Sequence, residues 1–298
     1  MGLTGVRVSA VGLGTNQFGR RVDETGVSAV LDKAVELGVN FIDTAEMYSD
    51  GLSEELLGKA VKGRRHQFVI ATKTGGASEP LGRLSRRQML SRLEASLKRL
   101  GTDHVDLYYL HFPDPGTPLD ESIRALDDMV RSGKVVYPAI SNHPAWQVAE
   151  AMGICDVHNY AKPVVVQDEY NLLVRKSETE MVPACRHFGL SLVPYSPLAG
   201  GFLTGKYRRG RPTPAGVRGS NNKRFEQTWL TEAHFEALER FEKFAQQRGH
   251  TIGALAMSWL LAQPLVCSVI AGVTSPDQLE ANVRMAEWKL EPDDLHGL

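Results

Sequence analysis

Cysteine is scarce in this 298-residue sequence, and the three that occur, Cys155, Cys185 and Cys267, lie far apart. An odd, scattered set excludes a disulfide framework, shows no metal-ligand spacing and suits a reducing cytoplasm. Excess charge is also lacking: 34 Lys and Arg stand against 35 Asp and Glu, a formal net charge of −1. That balance gives no reason to expect a nucleic acid or a membrane surface as partner. No apolar run reaches the ~18 residues that suggest a membrane-spanning helix. Met1 to Gly5 lack the basic start and apolar stretch of a signal peptide, and Val6 stands where a myristoylation motif wants Ser or Thr. A cytoplasmic protein is expected. The first apolar run, Val11-Gly12-Leu13-Gly14, is not followed by a Gly-rich dinucleotide fingerprint, which weighs against an open doubly wound sheet.

What is present is ordinary globular composition, 42% hydrophobic and 23% charged. Short Val- and Ile-rich runs, as strands buried on both faces require, alternate with segments of helical period. Strands are expected at 11–14, 40–43, 68–73, 105–110, 135–140, 164–166, 191–193 and 265–270, each followed by at least one helix. Ser53 is expected to cap a helix. Ser85 with Gln88, and Ser177 with Glu180, read as capping boxes. Ser275 caps a helix that has Pro276 at its first position. No linker or composition break divides the chain. The arithmetic fits one α/β domain over 1–298, a (β/α)8 TIM barrel.

Active sites of such barrels lie at the C-terminal strand ends. Those ends are polar almost throughout: Gly14-Thr15-Asn16, Asp43 with Tyr48, Lys73, His111, Ser141-Asn142, Gln167, Tyr195-Ser196 and Gly272. Singly, an Asp is usually a cap, a Tyr a surface residue and a His a satisfied core residue. A Lys ending a buried strand is rarer, because it is almost never buried unpaired. Together the four form a proton-handling set. Asp43 pairs with Lys73, and the Lys73 ammonium lowers the phenol pKa of Tyr48 so that it serves as an acid toward a developing alkoxide. His111 orients the substrate oxygen. No side chain carries a hydride, so a cofactor must. Ser141, Asn142 and Gln167 can hold a carboxamide, and Tyr195 can stack on a nicotinamide ring.

These residues resemble the aldo-keto reductase family over essentially the whole chain. Asp43-Thr44-Ala45-Glu46-Met47-Tyr48 is similar to its D-T-A-x-x-Y motif, with Lys73 and His111 where its other catalytic residues belong. The likeness is to bacterial reductases and potassium-channel β-subunits within that family. It implies NADPH-dependent reduction of an aldehyde or ketone, with NADH as the alternative cofactor. It also implies cofactor contacts at Ser141, Asn142 and Gln167, in the run Tyr195, Ser196, Pro197, Leu198, Gly200 and Gly201, and at Gly272, Thr274, Gln278 and Asn282. Gly14, Thr15 and Asn16 join that set. Thr274 and Gln278 stand where many members carry Arg or Lys, and Ala281 where a Glu often contacts adenine. The loop 205–224 carries Lys206, Arg208, Arg209, Arg211 and Arg218 and is expected to be mobile and to close over phosphate, with Lys206 as its best member. It lacks the interleaved aromatics of a nucleic-acid site. The substrate pocket is expected from Phe18, Met47, Tyr48, His111, Phe112 and His143, with Trp229 nearby.

Two rival readings remain. One is a regulatory subunit that binds cofactor with little turnover, which the lack of an N-terminal extension to plug a channel disfavours. The other is a barrel hydrolase with Asp43, Glu46, His111 and Glu169 around a metal, which leaves Lys73 as a cation beside a cation. Oligomeric state is not legible.

Overall fold

The apolar runs fold as β1 (Val11–Gly14), α1 (Glu24–Glu36), β2 (Phe41–Asp43), α2 (Leu52–Val61), β3 (Val69–Thr74), α3 (Arg86–Leu100), β4 (Val105–Leu110), α4 (Leu119–Arg131) and β5 (Val135–Ser141). The chain continues through α5 (Ala145–His158), β6 (Val165–Glu169), α6 (Met181–Phe188), β7 (Ser191–Tyr195), α7 (Lys223–Trp229), α8 (Glu232–Gln246), α9 (Ile252–Leu261), β8 (Val269–Gly272), α10 (Pro276–Met285) and α11 (Pro292–Leu295). This is a computed structural model, and it describes residues 1–217, 219, 220, 222–295 and 298. The strands are parallel and close in the order β1 to β8, with β8 returning to β1. The architecture is the expected single-domain (β/α)8 barrel.

Strand periodicity decides what faces the barrel axis. Successive side chains alternate between faces. Phe41, Ala71, Leu107, Tyr109, Ala139, Val165, Val193 and Ile270 form one buried cluster inside the barrel. The larger cluster lies between strands and helices and contains the alternate residues, among them Ile42, Ile70, Tyr108, Ile140, Val166 and Leu192. Two positions beyond Phe41, Ala71, Tyr109, Ala139, Val165 and Val193 come Asp43, Lys73, His111, Ser141, Gln167 and Tyr195. Each polar site residue is therefore the next inward rung above an apolar one. Gly12 makes room for this filling, because a Cβ there would lie 2.5 Å from Ile270 Cδ1 and 3.0 Å from Phe41 Cδ1.

Several local expectations need correction. The last strand is Val269–Gly272 rather than 265–270, because β8 takes its register from β1, with Val11 opposite Val269 and Gly14 opposite Gly272. Leu265 instead accepts from the Leu192 amide at 2.8 Å. Ser53 does not cap α2. Gly51, in the left-handed region at φ 90°, occupies the N-cap, and the Ser53 hydroxyl turns inward to Thr15. Ser85 holds the N-cap position of α3 without a side-chain bond, and Ser177 donates to Asp168 rather than capping α6. Ser275 caps α10 as expected. Helix α7 was not anticipated. It is capped by Asn222, whose side chain accepts from the Phe225 amide at 3.0 Å. Among the described residues no helix is long and apolar enough to cross a membrane.

Candidate active site

Lys73 is the centre of the barrel mouth. Its side chain has no exposed surface, and its Nζ donates to Asp43 Oδ1 at 2.5 Å and to the Thr44 carbonyl at 2.8 Å. The Tyr48 hydroxyl lies 3.5 Å from the same nitrogen. Asp43 Oδ2 accepts from Gln167 Nε2 at 2.7 Å, so both carboxylate oxygens are engaged. A buried charge pair with this much hydrogen bonding meets the condition under which such pairs persist.

The electrostatics refine the expected roles. Burial works against the Lys73 ammonium, but Asp43 and then Tyr48 more than offset it, and its pKa is raised. Burial is likewise the largest influence on the Tyr48 phenol and raises its pKa; Lys73 opposes that rise, and Asp43 adds to it. The expected net lowering of the Tyr48 pKa is therefore not found. Lys73 holds the phenol below what burial alone would give. Tyr108 and Tyr109, which are fully buried, are pushed much further up. His111 sits well below its ordinary value, first through burial and then through repulsion from Lys73. It is a neutral imidazole near neutral pH. Its ring stands 6.2 Å from the Tyr48 ring at 75°, and its Nδ1 is buried with no hydrogen-bond partner among the described residues.

Opposite this group the ends of β5 and β7 are tied together. Asn142 donates to the His111 carbonyl at 2.9 Å and to Ser141 Oγ at 3.0 Å, and accepts from the Tyr195 hydroxyl at 2.8 Å. It does this from the left-handed region, at φ 58°. Ser49, Asp50, Ser196 and Ala199 share that conformation, and all four also follow strand ends on this face. Strained non-glycine backbone gathers at sites that the surrounding structure over-determines.

The remaining expected cofactor positions divide. Asn16 reaches Gly272, where an added Cβ would lie 3.2 Å from Asn16 Oδ1, so the ends of β1 and β8 meet. Thr15 is fully buried and its hydroxyl donates to the Asp43 carbonyl at 3.1 Å, which makes it a support for β2 rather than an open contact. Gly14 is buried beside Ile270. Gly200 and Gly201, at φ 66° and 98°, turn the chain after Pro197 and Leu198, and Lys206 folds back against Gly201. Gln278 Oε1 accepts from the Thr274 amide at 2.8 Å. Asn282 is buried on α10. Arg208 and Arg209 pair with carboxylates of α8, Arg208 with Glu242 and Arg209 with Glu239 and Glu232. They are committed to the helix rather than held ready for phosphate. Arg218 lies outside the described residues.

On the substrate side, the His111 and Phe112 rings lie 4.7 Å apart, tilted by 31°, and Met47 is exposed. His143 is buried, with Nδ1 at 2.7 Å from the Ser141 carbonyl. Burial chiefly lowers its pKa to about 4, Arg83 adds to the lowering, and the Ser141 bond opposes it. Phe18 is a correction: it has no exposed surface and belongs to the core. Trp229 also packs in that core, against His234. The metal-ligand grouping does not form. Glu46 instead accepts from Thr74, the Gly75 amide and Arg92. Among the described residues no group of three or more His, Cys, Asp or Glu is placed to hold a metal ion.

Sequence reasoning missed the tie that positions the β3–α3 loop. Arg92 on α3 bridges Glu46 and Glu79, and Glu79 Oε1 accepts from the Gly76 amide. Only Glu46, inside the Asp43-to-Tyr48 motif, carried any signal.

Residues 10–298 match the sequence model of the Aldo/keto reductase family. The uncharacterized oxidoreductase YrpG of Bacillus subtilis (strain 168) is 37% identical, over all of this chain and 93% of its own length. Human aflatoxin B1 aldehyde reductase member 2 is 38% identical over 96% of this chain and 84% of its own. A probable voltage-gated potassium channel subunit beta of Arabidopsis thaliana is 35% identical over 96% and 90%.

Proposed function

From the fact that the chain belongs to the Aldo/keto reductase family, we propose that it reduces an aldehyde or ketone to the alcohol, with Tyr48 as the proton donor and NADPH in preference to NADH as cofactor. The observation that carries this reading is the Lys73 ammonium held between the Asp43 carboxylate and the Tyr48 hydroxyl at 2.5 and 3.5 Å.

The residues at the mouth fit a nicotinamide. Ser141 keeps its hydroxyl proton to donate, and Asn142 and Gln167 keep acceptor capacity on their amide oxygens. The left-handed glycines after Leu198 allow close approach of a phosphate to the backbone. Against the extra phosphate of NADPH this chain offers Lys206 first, and then Thr274 and Gln278. The bound dinucleotide supplies the hydride. The chain's own residues do the rest. Tyr48 gives its proton to the carbonyl oxygen as negative charge develops there. The Lys73 ammonium, fixed by Asp43, stabilises the phenolate left behind. Neutral His111 donates a hydrogen bond to the same oxygen and fixes its direction, which lowers the orientational part of the barrier.

Tyr48→Phe tests this directly. General acid catalysis contributes about 10²–10⁴-fold, so kcat in NADPH oxidation with an aldehyde panel should fall by that range while the Kd for NADPH stays within about twofold. Near-normal turnover in Tyr48→Phe would remove the mechanism. A second reading, a cofactor-binding regulatory subunit, is favoured by the likeness to a relative called a channel subunit beta. It predicts tight NADPH binding and no turnover with any aldehyde of the panel.

A further inference from the structure

Among the described residues, the buried and half-buried charged groups at the ends of β2, β3 and β4 are satisfied with one exception. Lys73 faces Asp43, and Arg92 faces Glu46 and Glu79. Asp114 accepts from the amides of Gly82, Leu84 and Gly116 and from the Thr117 hydroxyl. The exception is Arg83, on the β3–α3 loop, which is only 8% exposed. Its Nη1 donates to the Glu79 carbonyl at 3.0 Å and its Nη2 to the Pro113 carbonyl at 2.5 Å. Its Nε is buried and has no partner among the described residues. No carboxylate among the described residues lies within ion-pair distance of it. A guanidinium has five N–H donors, so three are unused here, and its positive charge is buried against neutral carbonyls alone. Arginine is almost never buried unpaired, and an uncompensated buried charge is costly.

The position of Arg83 is informative. Its Cγ lies 3.8 Å from where a Cβ on Gly75 would stand, two residues past Lys73. Pro113 is two residues past His111. His143, two residues past Ser141, is close enough for Arg83 to disfavour its charged form. Arg83 therefore spans the ends of β3, β4 and β5, on the side of the mouth where Met47 and Phe112 also stand.

Building on the reductase reading, we propose that Arg83 is a specificity-determining residue that selects carbonyl substrates bearing a carboxylate. The carboxylate takes the N–H groups left over on Nη1 and Nη2 and neutralises the guanidinium, while the carbonyl end reaches Tyr48 and His111. A planar carboxylate matches the fork of the guanidinium in a way a neutral amide does not.

The test uses isosteric probes that differ in charge. Benzoate and benzamide are titrated into the full chain saturated with NADP⁺, and NADPH oxidation is followed with 4-carboxybenzaldehyde and 4-carbamoylbenzaldehyde. A hydrogen bond to a charged group contributes enough for a preference of about tenfold or more. We expect benzoate to bind at least tenfold tighter than benzamide, kcat/KM to favour the carboxylated aldehyde similarly, Arg83→Met to erase both preferences, and Arg83→Lys to keep part of them. Equal binding of benzoate and benzamide to the unaltered chain overturns the proposal, and so does a preference that survives in Arg83→Met. The comparison within the unaltered chain and Arg83→Lys decides the matter if Arg83→Met does not fold. A benzoate preference without turnover of either aldehyde supports the anion site and removes the reductase reading. Turnover of both aldehydes at equal kcat/KM does the reverse.

Discussion

The Asp43–Lys73 pair makes a quantitative claim about stability as well as chemistry. Both side chains are essentially out of water, at 3% and 0% exposure. Replacing Lys73 by Met leaves Asp43 with Gln167 as its remaining side-chain partner, a buried carboxylate without a counter-charge. Breaking a buried pair from one side costs about 3–5 kcal/mol. Asp43→Asn leaves the ammonium with the Thr44 carbonyl and the Tyr48 hydroxyl, so its cost should fall at the lower end of that range. Removing both partners removes the uncompensated charge, so the double variant should cost far less than the sum, with a coupling energy of about 2 kcal/mol or more. Urea unfolding followed by tryptophan fluorescence measures all four corners of the cycle, provided the m-values agree. A stability domain of about 5–15 kcal/mol leaves even the worst single variant measurable in most of that range. Additive effects, or a cost below about 1 kcal/mol for Lys73→Met, would show that the pair is solvated in solution and that the phenol of Tyr48 is not held by a fixed ammonium. Activity gives an independent reading, since all three variants should lose most carbonyl reduction.

Two further outcomes follow from the same geometry. His143 has a folded pKa of about 4 against an ordinary 6.5. The unfolded chain therefore binds more protons between those values, and His143 contributes stability that is complete above about pH 6.5 and is lost as pH falls toward 4. His143→Leu should flatten the stability–pH slope across that window, and an unchanged slope would refute the assignment. Asn142→Ala removes the link between Tyr195 and the His111 carbonyl and should weaken NADPH binding in a fluorescence titration by about 30-fold, as expected for two lost hydrogen bonds of about 1 kcal/mol each. Affinity within twofold of the unaltered chain would mean that β5 and β7 are held by other contacts.

The barrel was legible because its signals are local. Each strand is a short apolar run with a polar end, and each helix carries its own stripe. The gathering of Asp43, Tyr48, Lys73 and His111 was legible because parallel strands of one barrel must place their ends on one face. What escaped were contacts made by geometry across the chain. Ser53 had the sequence of a cap, but the turn at Ser49 to Gly51 rotates its hydroxyl toward Thr15. Phe18 follows a strand end, yet its ring turns to the core. The basic loop looked available for phosphate because the carboxylates that take Arg208 and Arg209 lie more than twenty residues away on α8. Little local marks Arg92 or Arg83, since each shares only Glu79 with its own βα segment and takes its other partner from another loop, Glu46 for Arg92 and Pro113 for Arg83.

The inward ladder has one more consequence. Ala71 and Ala139 are the small rungs directly beneath Lys73 and Ser141, while Phe41 and Tyr109 are the large rungs beneath Asp43 and His111. The heights and tilts of the reacting groups are thus set by the volumes of residues that no ligand touches. Repacking the barrel floor would therefore move Asp43, Lys73 and His111 together without altering any of them.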